Sequence, residues 1–193
     1  MSEQALAILI QVIGYIGVLF VVIAFQCKTH KRVIVLKTTN ELIFALQYFL
    51  LGAYTGVAMN LVGSLRNFIF VAQVEKGKST RVAQVVFSLF FVVFGILTWQ
   101  GPISIAVIAA KLVTTIAYGL KNTRLIRFLT LPTSICWLIY NVVANSSAGV
   151  LCEAFTSLSI LTAILRIELI EPWVQKRKAA KAAAGESRAE KTE

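Results

Sequence analysis

Four ionisable side chains, Glu41, Arg66, Lys111 and Glu153, stand inside stretches that are otherwise apolar. A charge at that depth in a membrane segment is costly, turns away from lipid and calls for a partner. The amides Asn60, Asn141 and Gln47 and the phenol Tyr140 add hydrogen-bonding groups, and Gly63, Ser64 and Ser157 add room. This inventory fits the recognition of a small polar solute by Asn60, Lys111, Asn141 and Glu153. Position along the spans sets the pairing of charges. At ~1.5 Å per residue, Lys111 lies ~13 Å and Glu153 ~8 Å from the outer ends of their spans, within reach of the lysine stem. Arg66 and Glu41 lie ~18 Å and ~17 Å from the outside. The expected pairs are therefore Lys111–Glu153, as a recognition pair or proton-linked switch, and Glu41–Arg66, as a structural pair. Both also admit a reading in which they lock helices together and bind nothing.

Other chemistries find little support. The chain has no aspartate and one histidine, His30, in a basic loop. It carries no carboxylate cluster for a divalent metal, no HExxH, no GxSxG and no phosphate-binding glycine loop. A serine hydrolase using Lys111 as base lacks a recognisable arrangement. The sequence is therefore read as non-enzymatic, with no metal and no cofactor. Cys136 and Cys152 fall within apolar spans and Cys27 at an edge, which gives no disulfide framework.

The elements that position these residues are membrane helices. Of 193 residues 58% are hydrophobic and only 15% charged, with a mean hydropathy of +0.78, against roughly 25% charged in soluble domains. Seven apolar segments can be drawn: 6–26, 36–52, 54–73, 82–99, 102–120, 125–144 and 148–169. No cleavable signal peptide is evident, since the first segment is too long and lacks a basic leader. The net charge of +10 is concentrated in alternate loops and the tail: Lys28, Lys31, Arg32 and Lys37; Lys76, Lys78 and Arg81; Lys121, Arg124 and Arg127; Arg166 and beyond. The other loops, 53–55, 100–101 and 145–147, are uncharged. This puts the N-terminus outside and the C-terminus in the cytoplasm, and it argues for the bilayer, not nucleic acid, as partner. Residues 172–193 read as a basic cytoplasmic tail, disordered or a fraying helix, behind an interfacial Trp173.

Within the third span Gly56, Asn60, Gly63, Ser64 and Asn67 recur at steps of three and four, which makes one helical stripe that cannot face lipid. Ninety-three positions later Gly149, Glu153, Thr156 and Ser157 take corresponding places. The transmembrane domain, 1–171, then divides into a three-helix repeat 6–73, a linking helix 82–99 and a second repeat 102–169. The odd separation makes the two repeats parallel. Gly14 and Gly17 allow close packing of the first helix. Pro132 is the hinge candidate in the sixth.

Gln47-Tyr-Phe-Leu-Leu-Gly-Ala-Tyr, the run from Asn60 to Arg66-Asn67, and Trp137-Leu-Ile-Tyr-Asn141 followed by Gly149 and Glu153 resemble the YgjV family of bacterial inner-membrane proteins. The resemblance covers essentially residues 6–170. That family is similar to the PQ-loop and sugar-porter (MtN3, SWEET) superfamily, which implies two parallel three-helix bundles joined by a linking helix. It also implies a solute path between the bundles, with binding residues on the third helix of each repeat, here Asn60 and Glu153. Where that superfamily carries Pro-Gln, this chain has Phe25-Gln26 and Tyr118-Gly119. Two functions follow as expectations. One is a small-solute transporter or facilitator of the inner membrane. The alternative is a non-transporting scaffold or sensor whose polar centre is structural. Homo-oligomerisation is compatible with either.

Overall fold

In a bilayer a chain can satisfy its backbone only as helices or a closed barrel, and this chain, with its long apolar segments, forms helices. The computed structural model describes residues 3–177. Its seven helices are α1 (Glu3–Gln26), α2 (His30–Leu50), α3 (Tyr54–Glu75), α4 (Arg81–Leu97), α5 (Ile103–Tyr118), α6 (Thr123–Val143) and α7 (Ser147–Ala163). The chain divides into two compact units, Met1–Ile160 and Leu161–Glu193. In the second, the end of α7 passes into a π-helical stretch, Ile164–Ile170, and helix continues to residue 177. There Arg177 lies 4.1 Å over the ring of Trp173. The part of the expected tail from 178 on lies outside the described residues.

This is an all-α, largely membrane-spanning bundle. Five of the helical segments are long and apolar enough to cross a membrane: Glu3–Gln26, His30–Leu50, Tyr54–Glu75, Thr123–Val143 and Ser147–Arg177. α4 and α5 are apolar but shorter, 17 and 16 residues, so each rises only ~25 Å against a hydrocarbon core of about 30 Å. Sequence punctuation explains the shortening. Gly101, with φ of +109°, turns the chain between them, and α5 closes at Gly119.

The largest boundary difference is in α2, which begins at His30 rather than at residue 36. The basic segment His30–Lys37 is its first two turns, because Val33 and Ile34 on the same face are buried. α2 packs along both α1 and α3, α5 along α6, and α4 against α3 and α5. Lipid is as apolar as leucine, so packing, small residues and polar contacts hold such helices together. Two tight turns set α2 against α3 and α6 against α7. Gly52 (φ 70°) and Asn145 (φ 53°) take the left-handed conformation that ends a helix. The Ala53 N–H then bonds Tyr48 O and the Ser146 N–H bonds Asn141 O, both at 2.9 Å.

Candidate functional site

Polar residues of α2, α3, α5, α6 and α7 converge on one small cavity in the first unit. Glu41, midway along α2, anchors it. Its Oε1 lies 2.8 Å from Lys111 Nζ and 3.7 Å from Arg66 Nη2, and its Oε2 accepts from Asn67 Nδ2 at 3.0 Å. Lys111 also donates to Asn60 Oδ1 at 3.1 Å and stands 5.2 Å over the ring of Trp137. Arg66, wholly buried, donates to Asn67 Oδ1 at 2.8 Å and to Thr115 Oγ1 at 2.9 Å. Its guanidinium lies 4.9 Å over the Tyr118 ring. Buried charges persist only when paired and hydrogen-bonded, and each of these three is.

The expected Glu41–Arg66 contact is therefore present, but as one arm of a triad. The expected Lys111–Glu153 pair is not what forms: Lys111 goes to Glu41. The two lie at one level: Glu41 is ~14 Å from the Leu50 end of α2 and Lys111 ~12 Å from the Ile103 end of α5, on the same side of the bundle. Gly63 makes the approach feasible, since a Cβ there would sit 2.7 Å from Glu41 Oε2 and 2.9 Å from Lys111 Nζ.

Above the triad lies an amide and aromatic layer. Tyr48 donates to Asn141 Oδ1 at 2.6 Å. The Tyr48 ring stacks with Trp137 and meets Tyr140 edge-on. Tyr140 Oη accepts from the Gly56 N–H at 2.7 Å and donates to Ala53 O at 3.3 Å. On the other side Ser146 donates to Gln47 Oε1 at 3.1 Å. Gly149 must be glycine-sized here, because an added Cβ would run into the Asn141 amide.

A model of the Imp-YgjV family, bacterial inner membrane proteins, matches residues 8–170. The chain belongs to the Imp-YgjV family. The chain matches no curated protein and no solved structure. Membership makes it a multi-pass inner-membrane protein and carries no solute with it.

Of the sequence-expected site residues, Asn60, Lys111, Asn141 and Glu153 all line the cavity of this Imp-YgjV chain, together with Glu41; Arg66 and Pro132 do not. Arg66 stands behind Glu41. α6 runs unbroken through Pro132, whose ring is exposed. The cavity measures about 40 Å³, room for about three waters. Glu153 is half-buried on its α7 wall, near Ser134. The buried hydroxyls of Ser134 and Thr130 meet no partner in hydrogen-bonding geometry. Among the described residues no group of three metal-ligating side chains occurs, and all three cysteines are free.

Sequence reasoning missed Lys37 and Arg127, both counted as loop charges. Lys37 lines the cavity, donating to Asn40 Oδ1 at 3.2 Å. Arg127 is buried and caps the end of α1, donating to Phe25 O at 3.3 Å and Cys27 O at 2.8 Å. A signal existed. Arg127, Thr130, Ser134, Trp137 and Asn141 recur at helical spacing on α6, the same kind of stripe that drew attention to α3.

Proposed function

We propose that this protein is a small-solute transporter or facilitator of the bacterial inner membrane, with its site between two parallel three-helix repeats. The observation that carries the reading is the division of labour in the cavity. Glu41, Lys111 and Arg66 satisfy one another, while groups beside them keep hydrogen-bonding capacity. Lys111 occupies the Asn60 carbonyl and Tyr48 occupies the Asn141 carbonyl, which leaves the N–H groups of both amides for a guest. Glu153 supplies the acceptor. In this reading Lys111 acts by fixing Asn60.

The SWEET-like arrangement, 3+1+3 with seven spans, is part of the proposal, and it draws support from hydrogen bonds that recur when the chain is shifted by 93. Tyr48 and Asn141 are counterparts at that shift and bond each other. Ser159 donates to Val22 O at 2.8 Å, and their counterparts Arg66 and Thr115 are joined at 2.9 Å. Ala148 N–H donates to Gln11 Oε1 at 3.0 Å, and their counterparts Thr55 and Ser104 face each other at 3.5 Å. Gln47 meets Ser146 as Tyr140 meets Ala53. Accidental matching of apolar segments has no reason to reproduce polar contacts in reciprocal pairs. A two-fold axis along the membrane normal, between α2 and α6, accounts for all four relations. α4 is then the linker, Pro132 the hinge in α6, and the N-terminus lies outside.

A closed ion triad also favours a second reading for part of the centre, that Glu41, Arg66 and Lys111 are structural, as in a scaffold or sensor. Counterflow in proteoliposomes separates the two. Uptake of sugars, amino acids, organic acids and amines is measured for wild type, Asn60→Leu and Glu153→Gln. Flux of one class, lost in both variants while they remain folded, supports the transporter. No flux of any class, with both variants markedly less stable, leaves the scaffold.

A further inference from the structure

We infer that the site takes a small zwitterion, its ammonium on Glu153 and its carboxylate on Lys37. The inference rests on the solute-site reading above and adds the chemical class. Two opposite charges line the cavity on different helices, Glu153 on α7 and Lys37 on α2. Neither has an ion-pair partner within 4 Å among the described residues, in contrast to Glu41, Arg66 and Lys111. Lys37 gives a hydrogen bond to Asn40 Oδ1 and keeps two further donors. Glu153 has the Ser134 hydroxyl beside it.

A solute bearing one charge would satisfy one of these groups and leave the other facing it in a poorly hydrated site, at a like-charge or desolvation cost. A neutral solute would compensate neither. A guest with both charges a few ångströms apart compensates both. The Ser134 and Thr130 hydroxyls also line this cavity and add to its polar wall. The tightness of the cavity, about 40 Å³, selects for small side chains. The pair that reads the solute is thus Glu153 with Lys37. Lys111, fully engaged by Glu41, Asn60 and Trp137, is the positioning residue.

The test is ligand-dependent thermal stabilisation of the full chain in nanodiscs. The zwitterions are glycine, L-alanine and L-serine; the single-feature probes are methylammonium, acetate, acetamide and glucose. Saturable stabilisation by the zwitterions is expected, with each single-feature probe at least about tenfold weaker. Glu153→Gln and Lys37→Met should each weaken glycine by at least about thirtyfold, while Lys37→Arg retains binding. The double variant Glu153→Gln/Lys37→Met removes both charges, should melt cooperatively, and should still fail to bind glycine; it covers the case in which a single variant does not fold. Stabilisation by glucose, acetate or methylammonium equal to that by glycine, and lost in Asn60→Leu, would overturn the zwitterion and keep the solute site. No stabilisation by any probe would overturn the zwitterion, and flux of none of the wider solute classes would remove the site with it.

Discussion

Glu41 Oε1 and Lys111 Nζ, on helices α2 and α5, are 2.8 Å apart, and the same carboxylate holds Arg66 at 3.7 Å. One acid thus serves two buried cations, joining α2, α3 and α5 at one level of the membrane. Removing it leaves both cations without a counter-charge. Glu41→Gln is expected to cost about 3–5 kcal/mol of stability, the usual penalty for breaking a buried pair from one side. Glu41→Gln/Lys111→Met should recover part of that loss, because the stranded ammonium is gone. Chemical unfolding in mixed micelles measures both. A single variant as stable as wild type would show that the triad does not hold the helices.

Gly63 tests the same contact sterically. A Cβ there meets Glu41 Oε2 at 2.7 Å and Lys111 Nζ at 2.9 Å, so Gly63→Ala should cost about 1–3 kcal/mol by overpacking. Gly52→Ala meets no atom within 4 Å but sits at φ 70°, so its cost, about 1–2 kcal/mol, is one of backbone strain. Combined with Glu41→Gln, the Gly63 penalty should change and the Gly52 penalty should not. Melting of the three single and two double variants decides it.

How much of this could be read from the chain depends on the kind of information. Helices, turns and the polar α3 stripe follow from hydropathy and periodicity, which are local, and so do Asn60, Lys111, Asn141 and Glu153 as cavity residues. The partner of Lys111 does not. By depth Glu41 and Glu153 are both within reach of the lysine stem, so the choice rests on which helices pack side by side, which local patterns do not carry. Positive residues at a membrane edge read as loop whether or not they are helical, and so Lys37 falls outside the expected site. Arg127 was hidden in the same way, because its acceptors are the carbonyls of Phe25 and Cys27 at the end of α1, a hundred residues away in the chain.

The Tyr48–Asn141 bond joins residues 93 positions apart, and it can be measured by a double-mutant cycle with Tyr48→Phe and Asn141→Leu. Hydrogen bonds between membrane helices average about 0.6 kcal/mol and reach about 1.7. At 2.6 Å, with both residues buried, a coupling near the upper value is expected. Independent effects of the two substitutions would remove this contact from the argument for a two-fold axis.

Orientation is open to a direct test. The turn at Asn145 carries no charge, whereas Lys121 lies in a turn flanked by Arg124 and by Lys28 and Lys31 of the preceding basic segment. Positive residues are retained on the cytoplasmic side, so Asn145 is expected outside and Lys121 inside. In a chain with Cys27, Cys136 and Cys152 replaced by serine, a cysteine at Asn145 should react with a membrane-impermeant maleimide in intact spheroplasts. A cysteine at Lys121 should react only after permeabilisation. Cys152 is the replacement to watch, since Asn40 Nδ2 lies 3.7 Å from its sulfur; serine keeps an acceptor there. The opposite labelling pattern would invert the topology.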